Sequence, residues 1–317
     1  MHRADPDPST SRSPREGRPG TGVRGGRFGM VCLLAVIGLV AGCTTERSPS
    51  ASSGVAASSA ATAPGVQPAT GGTTPEPPQR ADTPPPAPPV GACYLLTSAS
   101  LTRLSNDSSP VPCGGRHTAR TIHVGRLDAV VDGHAVAVDS GVVRRQLARD
   151  CPRRLLGYLG GPRERLRLSR FAVVWFSPSV LQSDEGAAWF RCDVVAFDRG
   201  DTLFALPRSG DLRGVLSRPG ALDTFGLCGT AAPGASGFRR VICARPHSWR
   251  AFDTVDLGRG RPYPGVSRVR TAGDTVCKDR ARSRAPSTLR FRYGWEWPTA
   301  EQWAAGRRYG YCWRPDA

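Results

Sequence analysis

The 317-residue sequence holds a single lysine, Lys278, only five histidines, and no apolar run near the roughly 20 residues that a membrane-spanning helix needs. Its longest apolar stretch, "MVCLLAVIGLV", has about eleven residues. Catalytic signatures are missing too: there is no Gly-x-Ser-x-Gly elbow, no His-Glu-x-x-His helix and no glycine loop that could cradle a phosphate. The net charge of +17 is therefore an arginine charge, accompanied by abundant Ala, Gly and Pro, which is the imprint of a GC-rich coding sequence. The basic residues are scattered, without a run or an interleaved aromatic ladder, so nucleic acid is not an expected partner. Loose attraction to anionic cell-wall polymers or lipid headgroups fits better.

What is present divides the chain. Arg24 and Arg27 precede the short apolar run and "VAGC" closes it at Cys43. This is the layout of an export signal over residues 1–42, and Val40, Ala41, Gly42 and Cys43 resemble a bacterial lipobox, in which the cysteine is acylated and becomes the mature N-terminus. Several acyl tails at ~0.8 kcal/mol per buried methylene anchor a protein stably, so the expected location is the extracytoplasmic face of the cell membrane. Residues 43–90 are almost entirely Ser, Thr, Ala, Pro and Gly, ending in "ADTPPPAPPV". Such a segment cannot bury enough surface to offset its ordering entropy, so it reads as a disordered stalk, extended at ~3.1 Å per residue where prolines dominate.

Beyond it lie eight cysteines, Cys93, Cys113, Cys151, Cys192, Cys228, Cys243, Cys277 and Cys312, an even set in an oxidising compartment and so a disulfide framework. An internal duplication narrows the pairing. "RFAVVWFSPSVLQSDEGAAWFRC" aligns without gaps on "RFRYGWEWPTAEQWAAGRRYGYC", matching Trp175 with Trp295, Pro178 with Pro298, Gly186 with Gly306 and Cys192 with Cys312. The chain reads as two copies of one unit, residues 91–210 and 226–317, each with four cysteines in the same order. A repeated unit closes its own bridges, which leaves three pairings per copy; first with second and third with fourth is favoured. "RTIHVGRL", "RLSRFAVVWF" and "AWFRCDVVAF" read as strands, and "DSGVVRRQLARDC" as a helix behind an Asp139 or Ser140 cap, with Pro152 ending it or starting another. "SPSV" and "WPTAEQWAAG" read as short helices with proline in the first helical position, the former led by Ser177. The fold class expected is α+β, as two small disulfide-closed modules in tandem.

Three constellations could carry chemistry. Cys113-x3-His117 and Cys243-x3-His247 share a valine two residues before the cysteine and an arginine three after the histidine. Together they offer the Cys2His2 set that zinc accepts. The spacing is loose, however, and exported thiols form disulfides more readily, so no metal and no cofactor is expected. His117 or His247 could serve as a general base, but no nucleophile or carboxylate recurs beside them in both copies, and no catalytic residue is assigned. His123 and His134 lack counterparts in the second copy and read as surface residues. Trp175, Pro178, Trp295, Trp297, Pro298 and Trp303 form either an aromatic groove for a peptide or sugar face, or core.

"GLC", "VICARPH", Cys277 and "WEWPTAEQWAAGRRYGYC", echoed less fully by "GAC", "VPCGGRH" and "WFSPSVLQSDEGAAWFRC", resemble the septum formation domain of actinobacterial exported and lipid-anchored proteins. The resemblance implies an envelope protein connected with cell division, of unassigned biochemical activity. That family tends to carry a glutamate three residues after the histidine, where Arg120 and Arg250 stand here. The reading that follows is a lipid-anchored, non-catalytic binding or scaffolding protein with a cell-wall polymer or a division protein as partner. The alternative is an enzyme acting on cell-wall polymer with His117 or His247 as base.

Overall fold

The computed structural model describes residues 83–258 and 262–316. The export signal, Cys43 and the stalk as far as residue 82 lie outside the described residues. Residues 83–90 have no helix or strand and are largely exposed, and Pro84 comes against Gly186, where an added Cβ would sit 3.3 Å from its ring. No helix among the described residues is long and apolar enough to cross a membrane.

The first half runs β1 (Cys93–Tyr94), β2 (Ala119–Arg126), a small hairpin of β3 (Val130–Val131) and β4 (His134–Ala135), then α1 (Gly141–Leu159), α2 (Arg163–Arg167), β5 (Phe171–Phe176), α3 (Val180–Asp184) and β6 (Trp189–Ala196). After α4 (Ala221–Phe225), the second half runs β7 (Leu227–Gly229), β8 (Arg240–Ile242), β9 (Trp249–Asp256), α5 (Val266–Arg284), β10 (Gly294–Glu296), α6 (Ala300–Ala304) and β11 (Tyr309–Pro315). The sheets are antiparallel, ordered β1-β2-β6-β5 and β8-β7-β9-β11-β10, so the two halves repeat one topology with β8 added. The repetition extends to an irregularity. The β2–β6 register skips Ile122 and the β9–β11 register skips Phe252, and both bulges fall beside the cysteine of the long strand, Cys192 or Cys312.

Alternation explains the strands. In β5, Phe171, Val173 and Trp175 face the α1 side, while Val174 and Phe176 enter a separate cluster with Tyr94 and Leu96 on the other face. Every residue of β6 is buried, as a central strand covered on both faces must be. Each half lays one 19-residue helix on its sheet through a stripe repeating every four residues: Val143, Leu147, Cys151 and Leu155 in α1, Val269, Gly273, Cys277 and Ala281 in α5. The bridges are Cys93–Cys113, Cys151–Cys192, Cys228–Cys243 and Cys277–Cys312, all within a half.

Three local expectations change. Pro152 does not end α1, which runs on to Leu159 with the Ser140 hydroxyl as its N-cap. The carbonyl freed by the missing N–H belongs to exposed Ala148, on the solvent side of the helix, while Leu147, Cys151, Leu155 and Leu159 hold the helix down. Pro178 and Pro298 do not start helices either; they precede the caps, Ser179 and Thr299, which form reciprocal capping boxes with Gln182 and Gln302. Residues 211–225, between the two copies, add Leu212, Val215, Leu216, Ala221 and Phe225 to the first core.

In the second half, Gly273 and Gly310 stand where the first half has Leu147 and Phe190, and the Trp295 ring fills the vacated space. A Cβ at either glycine would lie 2.2 Å from that ring. Alanine normally improves a helix interior by about 1 kcal/mol over glycine. Here the sign reverses: Gly273→Ala is expected to lose about 1–3 kcal/mol by overpacking, read as a lower thermal midpoint, and an unchanged or raised midpoint would refute the close approach.

Candidate functional site

The two Cys-x3-His elements are built alike. In each, a disulfide closes the loop, and the histidine turns back so that Nδ1 meets the carbonyl oxygen two residues earlier: His117 to Gly115 at 3.0 Å, His247 to Arg245 at 2.6 Å. Cys228, Cys243 and His247 do cluster, with ligand atoms within 4.8 Å of one another. The two sulfurs are bonded to each other, however, and a disulfide supplies no thiolate to a metal. Cys113 is likewise bridged, so the Cys2His2 set does not form.

The arginines that follow are structural ties. Arg120 approaches Asp211 at 3.8 Å, and Arg250 binds Asp316 at 2.8 Å and Asp223 at 2.7 Å. His247 Nε2 lies 2.8 Å from the same Asp316 oxygen. Burial pushes the Asp316 carboxyl up, but its bonds to His247 and Arg250 outweigh that and hold it below the ordinary aspartate value. Both ring nitrogens of His247 are thus turned toward oxygens of the protein itself. His117 is 2 % exposed. His134 is exposed on β4, whereas His123 is half-buried with its ring edge-on to Phe190, and burial lowers its pKa.

The tryptophan and proline positions do not form a groove. Trp175, Trp295, Trp303, Pro178 and Pro298 are all buried. Trp295 Nε1 donates to the Val269 carbonyl, and the Trp303 ring meets Tyr263 edge-on. Trp297 is half-buried beneath Arg270. These rings fill the cores behind the helices.

The open chemistry lies elsewhere, between the halves. Their joint is made by backbone bonds, Leu227 N–H to the Leu168 carbonyl and Ile242 N–H to the Asp198 carbonyl, both 2.8 Å, and by Leu168 entering the second core. Above it opens a cleft of about 450 Å³ with Arg153, Arg163, Arg167, Arg170 and Arg240 in its walls, aromatic rings between them and no carboxylate in its lining. The arginines are held in different ways. Arg167 stacks over the Tyr309 ring at 4.1 Å and pairs with Asp256 at 2.9 Å; Arg170 donates to the Gly200 carbonyl at 2.8 Å; Arg240 is locked on Glu296 at 2.6 Å. Arg153 and Arg163 are exposed and carry no ion pair among the described residues. Arg163 and Arg167 also border a polar depression of about 460 Å³ that holds Glu164 and Asp253. There burial raises the Glu164 pKa, and the neighbouring Asp253 raises it further.

Sequence reasoning passed over these residues because arginine is common throughout the chain, and the cleft forms from positions some 150 residues apart. The one available signal was "GPRERLRLSR", where basic residues crowd a short helix. A family model described as "Septum formation" matches residues 90–312, a single stretch that includes both halves. No curated protein and no solved structure matches the chain.

Proposed function

We propose, from the premise that this chain belongs to the septum formation family, that it is a non-catalytic binding element of the cell envelope. Membership links it to septum formation and so to cell division. One observation carries the rest of the reading: the recurring Cys-x3-His elements are tied into the fold by their own bridges and hydrogen bonds, while the cleft between the halves has rings and arginines but no carboxylate in its lining, and Arg153 and Arg163 there carry no ion pair among the described residues. Aromatic faces suit the faces of sugars and arginine forks suit acidic substituents, so the partner favoured is an anionic cell-wall polymer. The lipobox-like Cys43 supplies the anchor in this reading, and residues 44–82 the reach. The enzyme alternative is less favoured, since His247 has both nitrogens turned toward protein oxygens and His117 is enclosed.

The test is made in cells. Cys43→Ser is expected to abolish incorporation of labelled fatty acid into the chain. A photo-crosslinker at position 163 is expected to capture cell-wall material at division sites, and Arg153→Glu to abolish capture. Capture of a protein instead would reassign the partner to the division machinery. Capture that ignores Arg153→Glu, or polymer cleavage by the purified chain that His247→Ala abolishes, would overturn the binding reading.

A further inference from the structure

At the end of α5 the chain makes an irregular turn whose charge and apolar tip answer nothing inside the protein. A depression of about 480 Å³ is lined there by Arg284, Arg290, Phe291, Arg292 and Arg314 among others, and by no carboxylate. Arg284 leans away to Asp253 at 3.1 Å. Arg290, Arg292 and Arg314 have no ion pair among the described residues. The Arg292 guanidinium lies 5.7 Å from the Trp249 ring centroid and that of Arg314 5.9 Å from Phe252, and Arg314 Nε is buried without a hydrogen-bond partner. An N–H in that condition gains from any oxygen that reaches it. Beside these residues Leu289 is 93 % exposed, the highest value among the large hydrophobic residues described.

Guanidinium forks match phosphate oxygens in geometry and charge. A phosphate in solution would account for the arginines but leave Leu289 in water. A bilayer surface accounts for both, because basic groups sit at the headgroups while an apolar side chain enters the acyl boundary and long arginine stems bridge the two levels. We propose that the turn at residues 285–292, with Arg314, docks the folded domain on a membrane that carries anionic phospholipid. The headgroup phosphate occupies the depression and Leu289 enters the lipid. This contact is independent of any acyl group at Cys43 and of the cleft between the halves, and it holds the domain flat against the membrane instead of at the end of its stalk.

The experiment uses the full chain carrying Cys43→Ser, so that no acyl group contributes, sedimented with vesicles of phosphatidylcholine alone or mixed with phosphatidylglycerol. Binding is expected only to the mixed vesicles and is expected to weaken with added salt. Arg290→Gln with Arg292→Gln is expected to lower partitioning about thirtyfold, from two basic contacts with an anionic surface. Leu289→Ser is expected to lower it about tenfold. Positions 289, 290 and 292 are exposed, so the variants keep the parent melting midpoint, and Arg292→Lys, which retains the charge, keeps most of the binding. Vesicle binding that the glutamine pair leaves unchanged would overturn the proposal. So would binding that ignores Leu289→Ser and is displaced by inorganic phosphate, which would make this a soluble-phosphate site.

Discussion

Arg191→Met is expected to remove about 3–5 kcal/mol of stability at pH 7, a large share of what an ordinary domain has. Arg191 is 2 % exposed on its side chain and Asp193 is fully enclosed, their Nε and Oδ2 atoms 3.1 Å apart. The contact is ionic; its angle leaves neither atom with a well-aligned hydrogen bond. The guanidinium is sandwiched between the Tyr94 and Phe176 rings, at 3.7 and 4.8 Å from their centroids, and reaches Asn106 Oδ1 at 2.9 Å. Thr121 donates to Asp193 at 2.7 Å. Burial pushes the Asp193 pKa up to about 6, against the pull of Arg191 and Thr121. Without Arg191 nothing compensates that charge but one hydroxyl. The pH dependence has a definite sign. A carboxyl whose folded pKa lies above its unfolded value binds more protons in the folded state, so its favourable contribution is complete below about 4 and is lost as pH rises through about 6. The variant is therefore expected to regain stability on acidification toward pH 5, because protonated Asp193 needs no counter-ion. Replacing both partners by apolar residues, Arg191→Met with Asp193→Leu, is expected to recover most of the loss at pH 7. Urea midpoints at pH 7 and pH 5 read all three. A single-variant loss below about 1 kcal/mol at pH 7, or one that does not shrink with acid, would show that the pair is not the buried charge described.

This pair also shows where sequence legibility stops. Its two residues sit in "FRCDVVAF", which alternation marks as a strand, and the neighbouring cysteine marks it as central, yet nothing local says that an arginine there points inward. What makes it tolerable is Tyr94 and Asn106, some 85 to 97 residues away. The second half confirms that the requirement is for a buried cation between rings and an acid, not for particular positions. There Arg240 on β8 binds Glu296 on β10, Trp313 Nε1 donates to the same carboxylate at 3.0 Å, and Tyr311 lies beneath. The gap-free duplication could not reveal this, because Tyr311 and Trp313 stand where Arg191 and Asp193 stand in the first half.

Elements governed by local physics were legible. The strands follow from β-branched and aromatic runs, and α1 from Val143 and Leu147 behind a serine cap. The α+β class follows from the order of these elements. Pro152 misled because its effect depends on which side of the helix meets water, and Pro178 and Pro298 misled because the capping box one residue later, Ser179 with Gln182 and Thr299 with Gln302, was overlooked. The tryptophans were legible as a constellation but not as to side, since a core and a groove use the same residues. Of the cleft only the basic crowding in "GPRERLRLSR" was legible: its arginines acquire meaning when Arg167 meets Tyr309 across the joint.

The helix-to-strand disulfides should matter more than the loop-closing ones, and for a reason separate from loop length. In the loop-closure account, removing Cys151–Cys192, at a sequence separation of 41, costs about 4 kcal/mol, and removing Cys228–Cys243, at a separation of 15, costs about 3 kcal/mol. Position widens the difference. Cys151 and Cys277 each occupy the third buried step of a four-step stripe, and the neighbouring steps in α5 are only Gly273 and Ala281, so the bridge to β11 supplies much of what that helix buries. In α1, leucines occupy the equivalent steps. Cys277→Ala with Cys312→Ala is accordingly expected to release α5 and lower stability by about 6 kcal/mol, roughly 4 from loop closure and roughly 2 from lost helix packing. The matching double substitution in the first half should leave α1 packed, at a loss closer to the entropic figure alone. Helical circular dichroism and thermal midpoints of the two double variants decide it. Equal losses would mean that α5 is held by its turn contacts and by Trp295 instead. Peptide mapping of the unreduced protein supplies the other check: a bridge found between the halves would break the equivalence of the two helices on which the comparison rests.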